Sequence, residues 1–155
     1  MTKLCTEAWL LRGISSIPGE LRLRKDVLTF VPQTVGSAWP WQLRKLERVI
    51  GAPGFAKALE DGGEPLLFEW PTAEVTAWCP WYYFGGGIKL RRGAITLRFS
   101  LGRPANMDAN FGSSGSPLAL EQAADNLSEV GAMRRRGKLW LAALGKAGQR
   151  SRGAA

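Results

Sequence analysis

Short segments in which apolar and charged residues alternate recur along this chain. In ELRLRK, Leu21 and Leu23 fall on one side of a pleated strand, whereas Glu20, Arg22 and Arg24 fall on the other. Such segments are separated by Gly, Pro and Asp turn signals, and their connections are too short for parallel crossovers. The pattern therefore predicts about seven antiparallel strands, between residues 7–32 and 65–100. We place early turns at Pro18–Gly19 and Lys25–Asp26.

Two helical regions interrupt and follow the strands. Residues 33–64 read as a helical insertion, because Leu43, Leu46 and Ile50 have helical spacing after Pro40 and FAKALED follows a GAPG break. The second region opens with Ser116 as N-cap and Pro117 as first helical residue, and its apolar stripe consists of Leu120, Ala123, Ala124 and Leu127.

Glycines predict a division near the C-terminus. Gly131 and Gly137 both weaken a helix, so we expect a break between Glu129 and Lys138 and then a second, short amphipathic helix. The expected organisation is one domain over residues 1–130, followed by a basic amphipathic segment, 131–155.

The formal charge of +8 is concentrated in that C-terminal segment. Seven basic and no acidic residues follow Glu129, which leaves 14 basic and 13 acidic residues in positions 1–129. The chain has no apolar run of membrane-spanning length and does not begin like a signal peptide. We expect a cytoplasmic protein, or one held peripherally at the inner membrane surface.

The composition argues against an enzyme. The chain has no histidine, which is the commonest general base and metal ligand, and its two cysteines, Cys5 and Cys79, cannot build a zinc site. We expect both to be buried or half-buried free thiols, with no metal and no cofactor. A small enzyme that uses the carboxylates of Glu69 and Glu74 is the remaining catalytic alternative, although both read as solvent-facing hairpin positions.

Seven antiparallel strands capped by a C-terminal helix resemble the pleckstrin-homology superfold. GELRLRKDVLTFVP (19–32) resembles the opening of GRAM domains, FEWPTAEVTAW (68–78) their next hairpin and GIKLRRGAITLRFSL (87–101) the hairpin before the closing helix. The resemblance is to a bacterial-type pleckstrin-homology or GRAM-like module with mainly β, α+β structure. It implies binding of inositol phospholipids or of protein partners without catalysis. The long insertion and the aromatic loop CPWYYFGGG (79–87) depart from the family pattern.

Three arginines match the family's headgroup pattern. In phosphoinositide-binding members a basic residue late in the first strand and a basic-x-basic pair in the second surround the phosphates, and Arg12, Arg22 and Arg24 occupy those places here. Guanidinium groups bind phosphate oxygens in a bidentate manner. The alternative is that these arginines decorate the solvent face of ordinary strands.

Aromatic residues form the second candidate, an interface. They lie in the insertion and in the aromatic loop, and they are Trp39, Trp41, Trp81, Tyr82, Tyr83 and Phe84. Tryptophan and tyrosine are enriched at binding hot spots. The alternative is that the insertion folds back and these rings form a core between it and the sheet.

The third candidate is the C-terminal segment, as an anionic-membrane surface. Its basic residues adjoin a tryptophan expected at the membrane interface: Arg134, Arg135, Arg136, Lys138, Trp140. The alternative is that its apolar stripe docks on its own domain. Binding to nucleic acid is not expected, because no stacking strand or groove-reading helix accompanies the charges. The sequence thus predicts a non-catalytic binding or adaptor module, whose partner is a protein or an anionic membrane surface.

Overall fold

The computed structural model describes residues 3–80, 86–103 and 118–153. These form seven strands, three α-helices and one 3₁₀ turn. The strands are β1 (Lys3–Arg12), β2 (Ser15–Arg24), β3 (Val27–Pro32), β4 (Phe68–Pro71), β5 (Thr76–Trp78), β6 (Gly87–Arg92) and β7 (Ile95–Ser100). The helices are α1 (Pro40–Ile50), α2 (Phe55–Glu60) and α3 (Leu118–Gly153), and the 3₁₀ turn is Thr72–Glu74.

All seven strands belong to one antiparallel sheet with the order β4-β3-β2-β1-β7-β6-β5. The edge strands β4 and β5 follow each other in the chain, separated only by residues 72–75. Laid flat, seven strands are about 29 Å wide, whereas the chain from Pro71 to Thr76 reaches at most about 18 Å. The sheet therefore has to bend strongly. Together with α3, this is the α+β architecture expected from the sequence, and it is consistent with a pleckstrin-homology-like fold.

Two sequence predictions about turns are wrong. Pro18 and Gly19 lie inside β2, and the β1–β2 turn is at Gly13–Ile14. A side chain at Gly19 would have no room, since an added Cβ would lie 2.6 Å from Phe30 Cζ. The segment 68–78 is not a hairpin either, because β4 and β5 lie at opposite ends of the strand order. The turn at Lys25–Asp26 is confirmed, and both residues have positive φ.

Aromatic rings fill the concave side of the sheet. Phe30 and Phe99 meet edge to face with ring centroids 4.9 Å apart, and Phe68 stacks on Trp70 at 4.1 Å. Phe30 and Phe99 are completely buried. The alternation read from the sequence is confirmed, because Leu21 and Leu23 face this core while Arg22 and Arg24 are exposed.

The helical insertion is confirmed and contributes to the same core. Leu43 and Leu46 of α1 and Phe55 and Leu59 of α2 are buried in the main hydrophobic cluster. Glu47 joins the two helices, since its carboxylate accepts a hydrogen bond of 2.8 Å from the Ala56 N–H. The insertion is therefore held on the body of the domain through its own apolar residues.

The predicted break between Glu129 and Lys138 is wrong, because α3 is one continuous helix. The same helix also runs across the predicted division at residue 130. Trp140, Ala143 and Leu144 belong to the hydrophobic core of the sheet. Burial of these side chains outweighs the cost of about 1 kcal/mol that each glycine imposes on a helix. The predicted N-cap Ser116 and first helical residue Pro117, and the side chains of the apolar stripe 120–127, lie outside the described part.

Within residues 3–80, 86–103 and 118–153, no helix has the combination of length and hydrophobicity needed to cross a bilayer.

Candidate binding surface

Two tryptophans at the start of α1 point away from the core. Trp39 is 63% exposed and Trp41 is 60% exposed, although an indole is a large apolar group. The alternative that the insertion buries these rings against the sheet is therefore wrong for Trp39 and Trp41. Exposed tryptophans on a stable helix are available to a partner.

Gln42 fixes the start of α1 against the sheet. Its side-chain oxygen accepts a hydrogen bond of 2.9 Å from the Trp39 backbone N–H, and its Nε2 donates to the carbonyl of Arg12 at 3.2 Å. Gln42 is itself only 9% exposed. The amide thereby ties the first turn of α1 to the last residue of β1, so the two tryptophans have a rigid base.

The segment that leads into α1 is held by a second set of bonds. The Ser16 N–H donates to Ser37 Oγ at 2.9 Å, and the Ser37 N–H donates back to the Ser16 carbonyl at 3.0 Å. Gly36 has a φ of +58° and lies so close to β2 that an added Cβ would be 2.2 Å from the Ser16 oxygen. Only glycine satisfies both conditions without displacement.

The solvent face of α1 is basic. Trp41, Arg44, Lys45 and Arg48 are spaced i, i+3, i+4, i+7 and are all exposed, so they share the face opposite the buried Leu43 and Leu46. The single acid of the helix lies outside this face, since Glu47 is bonded to the start of α2. We call Trp39, Trp41, Arg44, Lys45 and Arg48 the α1 surface.

An exposed aliphatic residue lies at the same end of the sheet. Ile14 is in the β1–β2 turn and is 89% exposed, and it is two residues from the Arg12 carbonyl that anchors α1. The surface at this end thus combines indole rings, an aliphatic tip and three cations.

The predicted arginine site is not assembled. Arg12 is opposite Ser15 at the β1–β2 turn, whereas Arg22 is seven positions further along β2, about 23 Å of strand away. Arg24 lies at the far end of the hairpin, opposite Lys3. The structure therefore separates Arg12 from the other two arginines.

Arg22 already has an anionic partner within the chain. Its Nη2 is 2.7 Å from the carboxylate of Glu20, and the Cys5 thiol donates a hydrogen bond to the same carboxylate. These two hydrogen bonds lower the pKa of Glu20 from 4.5 to about 2, and the bond from Arg22 has the larger effect. Burial and then Glu20 raise the pKa of Cys5. Cys5 is nevertheless exposed, so its predicted burial is wrong, while Cys79 is half-buried and both are free thiols.

We expect Glu20 to titrate far below the ordinary value for a glutamate side chain. Its folded pKa is depressed, so the stabilising interaction is complete above pH 4.5 and is lost as the pH falls toward 2. Carboxyl-carbon NMR across this range measures the value directly. Arg22→Gln should return it toward 4.5, and a wild-type Glu20 that titrates at the ordinary value would contradict the ion pair.

In the C-terminal candidate surface, the tryptophan lies in the core and the basic residues lie in solvent. Trp140 is completely buried, so its predicted place at a membrane interface is wrong, and the alternative that this helix docks on its own domain is confirmed for it. The basic residues Arg134, Arg135, Arg136 and Lys138 are exposed on α3. Arg136 donates a hydrogen bond of 2.7 Å to the Leu101 carbonyl beside the sheet.

The aromatic loop and the two hairpin carboxylates are the remaining candidates. Trp81, Tyr82, Tyr83 and Phe84 lie outside the described residues. Glu69 is exposed, and Glu74 forms an ion pair with Arg92 at 2.5 Å, so Glu74 has a structural partner. No group of three or more histidine, cysteine or acidic side chains in the described part of the chain is placed to hold a metal ion.

Sequence reasoning missed the basic residues of the α1 surface. The signal was present, because Arg44, Lys45 and Arg48 follow Trp41 at helical spacing.

Fold and surface together define an α+β domain with a bent seven-stranded sheet, a closing helix and an exposed aromatic and basic helix. Comparisons of the chain with protein-family models, with curated proteins and with solved structures gave no match.

Proposed function

We propose that this protein is a non-catalytic module that associates peripherally with anionic membrane surfaces through the α1 surface. The observation that carries the proposal is the pair of exposed tryptophans, Trp39 and Trp41, on a helix whose solvent face is otherwise basic. Tryptophan favours the interfacial region of a bilayer, and nearby lysines and arginines are attracted to anionic lipid.

The arrangement suits a membrane better than a deep ligand pocket. The rings and the cations lie on one convex helix, and Ile14 projects from the neighbouring turn. Rigid attachment through Gln42 means that little ordering entropy is lost on docking. Arg44, Lys45 and Arg48 contribute about 1 kcal/mol each near an anionic surface.

Vesicle sedimentation tests the proposal. We expect the protein to pellet with vesicles that contain phosphatidylserine and to remain in the supernatant with phosphatidylcholine alone. Arg44→Glu with Lys45→Glu should weaken binding by at least about 30-fold, because two attractive charges worth about 1 kcal/mol each are replaced by repulsive ones. Trp39→Ala with Trp41→Ala should also weaken it.

The matched control is Lys3→Glu with Arg24→Glu. Both residues are exposed, and they lie opposite each other at the far end of the β1–β2 hairpin. The net charge changes by the same amount as in the α1 variant, because two cations are again replaced by two glutamates. This variant should pellet nearly as well as the wild type. Equal loss in both charge-reversed proteins would show that net charge alone is responsible, and the proposal would be rejected. Pelleting with neither lipid would also reject it and would favour a protein partner for the tryptophans.

A further inference from the structure

The first half of β1 has a neighbouring strand on one side only. β2 runs alongside the whole of β1, whereas β7 pairs only with residues 9–11. Two positions further along this register Gly102 would lie opposite Glu7, but the chain bends there and the Gly102 N–H donates to Ser100 Oγ at 3.4 Å. Among the described residues, no strand lies beside residues 3–7 on that side, which we call the open side of β1.

Half of the backbone groups in this stretch point to the open side. Ser16 lies opposite Leu11, but its N–H and C=O bond to Ser37 on the other side of β2. Leu11 therefore directs its own N–H and C=O away from β2, and the alternation of an antiparallel ladder gives the same direction to every second residue before it. In the unpaired stretch these residues are Lys3, Cys5 and Glu7.

The core is also incompletely covered beside the open side. Leu4 and Thr6 face inward but are only half-buried, whereas their β2 partners Leu23 and Leu21 are at most 1% exposed. Unpaired backbone groups next to partly covered inward side chains are the condition under which a sheet accepts a further strand.

The outward charges of β1 lack an opposite charge within the hairpin. Lys3 lies opposite Arg24, and Glu7 lies opposite Glu20. Like charges in these positions destabilise a pair of strands. Neither ion pair found among the described residues involves Lys3 or Glu7.

These charges favour a second copy of β1 as the further strand. Lys3 and Glu7 are four residues apart on one strand, about 13 Å, which is too far for them to pair with each other. When two copies run antiparallel with Cys5 opposite Cys5, each Lys3 lies opposite the partner's Glu7. The charge pattern of residues 3–7 is therefore complementary to itself about Cys5.

We propose that two copies of this chain form a two-fold symmetric dimer by antiparallel pairing of residues 3–7 of β1, with Cys5 at the axis. Lys3 exchanges backbone hydrogen bonds with the partner's Glu7, and Cys5 with the partner's Cys5, so the outward backbone groups of the stretch are all paired. Leu4 lies opposite the partner's Thr6 and extends the covered core across the interface. The contact uses the open side of both copies, so assembly stops at two.

The dimer does not depend on the membrane association proposed above. Antiparallel pairing directs the Arg12 ends of the two hairpins in opposite directions, and α1 is anchored at that end. The two α1 surfaces therefore lie at opposite ends of the pair and outside the interface. Loss of the dimer leaves each α1 surface intact, so the two proposals fail separately.

Sedimentation velocity of the full chain over a range of concentrations tests the dimer. We expect the wild type to approach twice the mass of one chain as the concentration rises. Lys3→Glu and Glu7→Lys should each weaken the dimer about tenfold or more, because both cross-strand pairs become repulsive. An equimolar mixture of these two variants should dimerise again, since every cross-strand pair then joins a cation to an anion.

The matched controls are Lys57→Glu and Glu60→Lys, two exposed positions of α2 that give the same changes in net charge. Each should dimerise like the wild type, and their mixture should associate no more strongly than either alone. A wild type that stays monomeric at every concentration would overturn the proposal. A mixture of the two β1 variants that is no more dimeric than its components would overturn it as well.

Cys5→Pro tests the backbone pairing without a change of charge. It removes an N–H that points to the open side, so the β1–β2 ladder keeps its bonds. The folded variant, verified by circular dichroism, should be monomeric, and a dimer that survives in it contradicts pairing through β1.

Cross-linking tests the register. A short bis-maleimide should join two copies of the Cys79→Ser protein, in which Cys5 is the only thiol, and should not join two copies of Cys5→Ser. A dimer that cannot be linked through Cys5 would rule out an axis at that residue.

Discussion

Replacing Trp140 with alanine is expected to lower the free energy of unfolding by about 3–5 kcal/mol. The indole is completely buried and belongs to the hydrophobic core that α3 shares with the sheet. Its removal leaves a cavity where the helix closes the domain. Because small domains are stable by only about 5–15 kcal/mol in total, the variant should lose a large part of its stability.

Urea denaturation monitored by far-ultraviolet circular dichroism measures this loss. Leu139→Ala is the matched control, since Leu139 is the preceding residue of α3 and is 57% exposed. Its midpoint should be close to that of the wild type. Trp140→Phe should cost less than Trp140→Ala, because the ring volume is partly kept and Nε1, a buried donor with no partner in the described residues, is removed. An unchanged midpoint for Trp140→Ala would show that α3 does not contribute to the core.

Replacing Gly36 with alanine is expected to cost about 3 kcal/mol or more. A positive φ costs about 1–2 kcal/mol for an L-residue. The added Cβ also meets the Ser16 carbonyl at 2.2 Å. Relief of that contact separates Ser37 from Ser16, and each lost hydrogen bond costs about 1 kcal/mol.

Gly93→Ala provides the control for backbone strain alone. Gly93 has the same φ of +58° and nothing within 4 Å of an added Cβ, so only the conformational cost remains. Chemical denaturation should therefore separate the two variants by about 2 kcal/mol. If both lose the same stability, the close approach of Gly36 to β2 has no energetic role. Gly36→Ala should also weaken vesicle binding more than Gly93→Ala, since it moves the segment that positions Trp39.

Strand identity and facing could be predicted from the sequence, because alternation is a local property. Leu21 and Leu23 lie inward, with Arg22 and Arg24 outward, as the pattern required. The helical insertion was predictable for the same reason, since the apolar side of α1 is encoded in its spacing. These predictions needed no knowledge of distant contacts.

The prediction that the three arginines lie together depended on the position of one turn. With a turn at Pro18–Gly19, Arg12 would lie opposite Lys25 and therefore beside Arg24. The actual turn at Gly13–Ile14 moves its partner to Ser15. Local Pro-Gly chemistry is a strong turn signal, but pairing of Trp9 with Pro18 and of Ala8 with Gly19 determines the register. Long-range pairing of this kind is not visible in a short window of sequence.

The continuous helix α3 was missed for a related reason. Gly131 and Gly137 weaken a helix locally, whereas the burial of Trp140 that compensates for them depends on the position of the sheet. At α1 the sequence left open whether the tryptophans are exposed or buried against the sheet. The exposure of Trp39 and Trp41 could be stated only once the buried side of that helix was known.

The short connection between the two edge strands has a consequence for crowding. Exposed sheet edges are where separate molecules of a β protein add to one another and begin to aggregate. Here the edges are only four and three residues long, one ends in Pro71, and the link of residues 72–75 draws the two ends of the strand order toward each other. A protein concentrated on a two-dimensional surface meets its own copies often. Such short edge strands offer a neighbouring molecule few unpaired backbone groups for hydrogen bonding.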